Sequence, residues 1–527
     1  MNPKDNNGVA TTTKHPGIIL VTLALGFIVL GIVIWHWYYL YGAFDFPFAW
    51  LAIANFLIWW VAFLWGLHHT LFQLLALFTK PNTVDMPNPL KPKIAILYTT
   101  CDDFNSESCQ SCCDQVNSDI QVYICDDSQT TKYKKQVDEF CDKYPSCQLV
   151  RRNSLKGFKA GNLNHTIQYK VTEEWILLVD ADQYLPKDYL VNLTKYIPEE
   201  DTRVAFIQSA NDASSFRPTS HFQKMLEPEI AMFYKRSLSV RQRFGFVPML
   251  GHGALVRRSS WEDVGGFPEI VSEDFAFALE ITSKNRYGIY VEDVIGYEQY
   301  PHDFGGFMIR VKKWAGGTAE LLKSRVRFNG LSFVERWDFM MQILGYILAP
   351  LIWLNAFLGA FVLHKLWSEY TLFLNPILPY LYSLLLFATL SIIISVSKNV
   401  KQAISFYFWA TAIYTASLPI IGLTFLIYQF RLPSFRRTPK NGTNTPLGFW
   451  DSALMMLMGC LTLGIAGYWW SPYSYVLIGV GAAYLFYPFF GQLASSSWLG
   501  KFSRIIVYIP GSFMLFALYA MWNYGRY

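Results

Sequence analysis

The sequence predicts an α-helical multi-pass membrane bundle with one inserted cytoplasmic α/β domain. Three observations carry that prediction. Of 527 residues, 52% are hydrophobic, 17% aromatic and only 16% charged, against about 25% charged in an average soluble chain. Long runs carry no Asp, Glu, Lys or Arg, the first two being Pro16–Tyr41 and Phe46–Thr79. Between these runs and later apolar ones lies a polar stretch, residues 80–330, large enough to bury a core of its own. This composition excludes disordered, collagen-like and nucleic-acid-packaging proteins. The net charge, 44 − 39 = +5, implies no nucleic-acid partner.

Taken in order, residues 1–15 read as a cytoplasmic tail and 16–79 as two transmembrane helices, since about 20 apolar residues cross a bilayer core. The first run feeds directly into the second, so it reads as an anchor and not as a leader. The hairpin between them holds only Asp45, whereas Lys4, Lys14, Lys80, Lys91 and Lys93 flank the pair, which puts the polar domain in the cytoplasm. Apolar spans return near 339–363, 372–396, 403–430, 450–468, 473–491 and 505–523. Residues 331–430 are thus interface and transmembrane helices, 431–447 a basic cytoplasmic segment, and 448–527 further transmembrane helices. Pro419 and Gly422 interrupt the run 403–430, which is read as interfacial or re-entrant so that Arg431, Arg436, Arg437 and Lys440 stay cytoplasmic.

Seven of the eight cysteines fall in the polar domain and should be reduced there. Cys109-Gln-Ser-Cys112-Cys113 has no second Cys/His pair at zinc-finger spacing, so unpaired thiols on a helix are the favoured reading. The sequons at Asn164, Asn192 and Asn441 would go unused on the cytoplasmic side.

Within the domain, Lys93–Thr100, Ile120–Cys125 and Trp175–Val179 are short apolar strands separated by helical patterns, the signature of a parallel α/β sheet. Ligands of such sheets bind beyond the carboxyl ends of the strands. The second strand ends in Asp126-Asp127-Ser128 and the third in Asp180-Ala-Asp182. A D-x-D pair suits Mg²⁺ or Mn²⁺ bridging a diphosphate, although alone it more often marks a polar turn. Further acidic and aromatic punctuation follows in order: Ser272-Glu273-Asp274, then Arg310-Val-Lys-Lys313-Trp314.

That ordered series resembles the membrane-integrated family 2 glycosyltransferases, which include cellulose, hyaluronan and chitin synthases, over about residues 90–440. Lys159-Ala-Gly-Asn162-Leu-Asn164, Gly251-His252-Gly253, Trp261 and Gly265-Gly-Phe267 match further family segments, and Phe435-Arg-Arg-Thr438-Pro-Lys440 is similar to the cellulose synthase gating loop. The resemblance implies a GT-A, Rossmann-like domain. In it Thr100, Asp126, Asp127, Lys159, Asn162 and Asp180 would bind the nucleotide, with Asp180 and Asp182 holding Mg²⁺ or Mn²⁺. Asp274 would be the general base. Gly251, His252, Glu273 and Trp314 would bind the acceptor, Arg310 and Lys313 would lie near the pyrophosphate, and Phe435, Thr438 and Lys440 would gate the site.

The usual Q-x-x-R-W is here R-x-x-K-W, and Lys lacks the bidentate fork of Arg. With Tyr-Thr-Thr-Cys101 this variant looks closer to Gram-positive β-glucan capsule or exopolysaccharide synthases. That would imply UDP-glucose as donor, a growing β-1,3-glucan with β-1,2 branches as acceptor, and the plasma membrane as location. Two alternatives stay open: a non-processive glycosyltransferase with a lipid acceptor, and a non-catalytic membrane transport or scaffold protein.

Overall fold

The computed structural model describes residues 14–40, 48–79, 91–116, 119–198, 200–212, 220–369, 400–431, 445–471 and 473–524. The expected span 372–396 and the gating residues Phe435, Thr438 and Lys440 lie outside the described residues.

Among the described residues, eight strands build the polar domain: β1 (Lys93–Thr100), β2 (Asp119–Asp126), β3 (Cys147–Val150), β4 (Trp175–Asp180), β5 (Gln183–Tyr184), β6 (Val204–Asp212), β7 (Ala254–Arg257) and β8 (Tyr287–Glu298). They form one sheet in the order β3-β2-β1-β4-β7-β6-β8-β5. The three strands read from the sequence are β1, β2 and β4, and they pair in parallel. Beyond β4 the sheet departs from the all-parallel expectation, because β7 runs antiparallel between β4 and β6. Its Ala-Leu-Val-Arg is too short, and too buried on both faces, to carry a strand signal.

Register sets the position of the acidic residues. Thr100 pairs with Asp126 across β1 and β2, and Thr99 with Asp180 across β1 and β4. The carboxyl ends of three parallel strands therefore stop level, and their polar residues share one rim.

Alternate residues of the strands feed two cores. Ile94, Ile96 and Tyr98 pack with Cys109 and Cys112 of the helix Ser106–Cys113. That helix is capped by Asn105, whose side chain accepts from Glu107 N and Ser108 N. Burial pushes the thiols of Cys109 and Cys112 up, while Cys113 Sγ lies 3.2 Å from Cys147 Sγ. Ala95, Leu97 and Leu178 face the other way. Their core runs without a break through Phe304 and Phe307 to Trp409, Ala412, Tyr487 and Phe490 of the apolar helices. The sheet and the bundle are thus packed as one interior.

Among the described residues, four helical stretches are long and apolar enough to cross a membrane: Ala49–Ala76, Val400–Phe430, Phe449–Tyr468 and Trp498–Ala520. A fifth candidate, Phe333–Ile352 with Leu354–Val362, is bent by 53°, with Pro350 in its interior. Val400–Phe430 is one continuous helix of 31 residues, so Pro419 and Gly422 do not interrupt the run as the sequence reading of an interfacial or re-entrant segment supposed. Gly422 serves close approach instead: a Cβ there would stand 2.8 Å from Pro350 N.

A buried ionic joint ties the domain to these helices. Asp338, fully buried, accepts from Arg241 Nε at 3.0 Å, Phe246 N at 2.9 Å and Gln342 Nε2 at 3.0 Å, and faces His68 Nε2 at 3.2 Å.

Candidate active site

At the rim of β1 and β2, Asp126 and Asp127 are both buried and both held by arginines. Arg151 Nε donates to Asp126 Oδ2 at 2.7 Å, and Ser128 N donates to Asp126 Oδ1 at 2.9 Å. Arg152 grips Asp127 with a two-pronged fork, Nε to Oδ1 at 2.9 Å and Nη2 to Oδ2 at 2.6 Å. Both arginines follow β3 directly, yet no sequence motif marks them. Thr100 closes the same rim, its carbonyl accepting from Asp127 N at 2.9 Å. Asn162 is buried beneath it and donates to Cys125 O at 3.0 Å, bracing the end of β2.

Lys159 connects this rim to the next acidic pair. Its Nζ donates to Asp180 Oδ1 at 2.5 Å and to Gly251 O at 2.7 Å. Burial works against its charge, but Asp180, Glu273 and Asp274 around it keep its pKa above the ordinary value. Asp180 opens on the cavity described below, whereas Asp182 is buried behind it at 4% exposure. Among the described residues, no three His, Cys, Asp or Glu side chains gather closely enough to hold a metal by themselves. The hard carboxylate oxygens of Asp180 and Asp182 fit Mg²⁺ or Mn²⁺ only if phosphate oxygens complete the shell.

Asn164 links two motif segments that are far apart in the chain. Its Oδ1 accepts from Trp261 Nε1 and Phe267 N, and its Nδ2 donates to Phe267 O. This pins the Gly265-Gly266-Phe267 turn ahead of the helix Glu273–Thr282. Asp274 stands in the first turn of that helix, with Phe275 N donating to its Oδ1 at 2.8 Å. Burial raises its pKa, opposed by that bond and by Lys159, Lys313 and His252. Burial and the neighbouring Asp274 push Glu273 up to about 7. His252 is oriented by a relay: Gln183 Nε2 donates to Asn211 Oδ1, so Asn211 Nδ2 faces His252 Nδ1 at 2.9 Å. That nitrogen must accept, which leaves the proton on Nε2, 3.4 Å from Glu298 Oε2.

The helix Phe304–Lys323 supplies the opposite wall. Lys313 faces Glu273 and Asp274, and Trp314 is 44% exposed. The Arg310 guanidinium lies among three rings, 4.8 Å from Trp314, 5.6 Å from Phe307 and 5.9 Å from Tyr300. Asp303 caps this helix through Gly306 N and also accepts from Thr445 N, while Lys323 near its other end donates to Arg431 O. The two described ends of the basic segment are thus fastened to the two ends of the helix bearing Trp314.

A cavity of about 1020 Å³ is lined by Lys159, Asp180, Gly251, His252, Glu273, Asp274, Arg310, Lys313 and Trp314. It continues between the apolar helices to Trp59, Tyr346, Asn355, Tyr473 and Tyr484.

The α/β domain, with acidic side chains ranged along its strand ends and opening on a deep cleft, agrees with the GT-A-like domain of a nucleotide-sugar transferase, the class to which the family match assigns it. The chain belongs to glycosyl transferase family group 2, whose model matches residues 175–522. A "Probable glycosyltransferase" of Sulfolobus acidocaldarius is 22% identical over 405 residues, 75% of this chain and 80% of that protein. "Probable glucomannan 4-beta-mannosyltransferase 7" of Oryza sativa is 26% identical, with 38% of this chain matching 36% of the relative. "Beta-monoglucosyldiacylglycerol synthase" of Synechocystis is 24% identical, with 31% of this chain matching 33% of the relative. The chain thus spans only about a third of the length of these last two relatives. Among solved structures, a mannosyltransferase from Pyrobaculum calidifontis in complex with GDP-Man and Mn²⁺ is 16% identical. It covers 72% of this chain and 97% of its own, at a TM-score of 0.42. Membership of this family removes the non-catalytic alternative.

Proposed function

We propose that the protein is a processive, inverting β-glycosyltransferase that extends a polysaccharide and passes it outward through its own helices. The observation that carries this is the cavity running from Asp180 and Asp274 to Asn355 and Tyr473 between the apolar helices. Asp126 and Asp127 bind the nucleoside of the donor. Asp180 and Asp182 would hold Mg²⁺ or Mn²⁺, which neutralises diphosphate charge when bound. Asp274 takes the proton of the acceptor hydroxyl as its oxygen bonds to the anomeric carbon and the nucleoside diphosphate leaves. Trp314 presents a ring face to the acceptor sugar, and Lys313 stands by for the developing negative charge. The basic flanks of the first two spans support a plasma-membrane protein with its catalytic domain in the cytoplasm.

UDP-glucose, polymerised into a β-1,3-glucan with β-1,2 branches, is the donor favoured by the sequence resemblance. The plant relatives named as mannosyltransferases make GDP-mannose its competitor. A second reading, transfer to a lipid acceptor, is favoured by the apolar wall of the same cavity at Ile58, Ala62, Ile352 and Leu418, and by the Synechocystis relative's name. Purified protein is incubated separately with UDP-glucose, UDP-GlcNAc, UDP-GlcA and GDP-mannose, with and without EDTA, and product size and linkage are analysed. Long β-linked polymer from one donor, lost with EDTA, is expected. A product of one or two sugars on lipid rejects the polymerising reading.

A further inference from the structure

Beyond Trp314, the cavity contains a cluster in which Arg310 of the R-x-x-K-W series meets two residues, Glu229 and Tyr300, that no family motif includes. Arg310 lies one helical turn from Trp314, next to Phe307, whose ring meets Tyr414 of the helix Val400–Phe430 at 6.0 Å. Facing it is Glu229 of the helix His221–Met232, which runs on into a π-helical segment, Phe233–Leu238. Such segments, with their wider turn, recur at functional sites. Tyr300, from the loop after β8, completes the group and is 5% exposed. Glu229, Tyr300 and Arg310 all line the cavity.

Tyr300 Oη and Arg310 Nε are buried without a hydrogen-bond partner, as is Glu229 Oε2, although the Tyr414 hydroxyl also lies beside the Glu229 carboxyl. Buried polar groups are nearly always satisfied, so three exceptions from three elements in one cavity call for an occupant. The trio offers an acceptor, a donor and a hydroxyl that does both. A fatty chain would leave Tyr300 Oη and Arg310 Nε bare, and an anionic headgroup drawn to Arg310 would also meet the Glu229 carboxyl. A neutral pyranose suits the set, since its hydroxyls both donate and accept and its flat face suits the rings around Arg310.

We propose that Glu229, Tyr300 and Arg310 form a second acceptor subsite, which binds the sugar next to the terminal one stacked on Trp314. This rests on the polymerising reading above. It assigns Arg310 to the acceptor glycan and leaves Lys313 alone at the leaving group. It also gives R-x-x-K-W a physical meaning, because the residue in the first position serves the chain already made.

The test compares acceptors of one and two sugars in the purified full-length protein. Methyl β-glucoside and laminaribiose are used with UDP-glucose, and methyl β-mannoside and β-1,4-mannobiose with GDP-mannose. The wild type should use the disaccharide with kcat/KM about tenfold above the monosaccharide, the effect of one or two added hydrogen bonds. In Glu229→Gln and in Tyr300→Phe that ratio should fall several-fold toward one, through KM, while affinity for the free nucleotide is kept. Tyr300→Phe removes a single oxygen from a packed ring, so the test survives a Glu229→Gln protein that does not fold. Variants that keep the full disaccharide preference, or a wild type with none, overturn the subsite. A wild type that glycosylates lipid and no saccharide overturns the polymerising reading as well.

Discussion

Gly251 is packed against Asp274 so closely that a Cβ on it would stand 3.1 Å from Asp274 Oδ2. Its φ of +76° also lies in the left-handed region that a side chain disfavours. The glycine therefore leaves room for the proposed base, while its carbonyl accepts from Lys159 Nζ. Gly251→Ala should lower kcat by about 10²-fold through displacement of Asp274, with nucleotide affinity retained. Asp274→Asn should lose at least about as much by removing the proton acceptor. Steady-state kinetics with nucleotide titration check both, and an active Asp274→Asn protein would remove that residue from the role.

The pH dependence follows from the surroundings of Asp274. A base works when deprotonated, and burial raises this carboxyl's pKa. The acid limb of kcat/KM should therefore lie above the ordinary aspartate range. Lys313 is among the cations that hold the pKa down, so Lys313→Met should move the limb to higher pH. A limb that stays put, or moves lower, contradicts this arrangement.

The fork of Arg152 on Asp127 predicts a binding defect. Lys in its place cannot make two parallel bonds, so Arg152→Lys should weaken affinity for the donor's nucleotide by about tenfold. Calorimetry on the purified protein reads this directly, and unchanged affinity would show that Asp127 needs no such support.

Asp338 predicts a stability defect distant from the chemistry. Replacing it with Ala strands Arg241 in a buried site, and breaking such a pair costs about 3–5 kcal/mol. The unfolding midpoint in detergent should drop by several degrees, as a thermal melt would record. A Tm equal to wild type would mean that water reaches Arg241.

The legible part of the fold is the part with strong local signals. β1, β2 and β4 are largely apolar runs, the last two ending in acids and the first in Thr99-Thr100, so the rim formed by Thr100, Asp126 and Asp180 is readable from the order of residues alone. β7 is not, because four residues buried on both faces have no period. Arg151, Arg152, Glu229 and Tyr300 escape a linear reading for another reason: each acquires its meaning from residues on other elements. At Gly422, a residue that reads as a helix breaker serves helix contact with Pro350. Only packing distinguishes the two.

The most direct test of the proposed synthase uses sealed vesicles with the catalytic domain facing outward. They are fed labelled UDP-glucose, or GDP-mannose if that is the donor used, and then treated with an external glucanase or mannanase. If the chain enters the cavity behind Trp314 and emerges beyond Tyr473, polymer should survive the enzyme until detergent is added. Polymer fully digested in intact vesicles would contradict export through these helices.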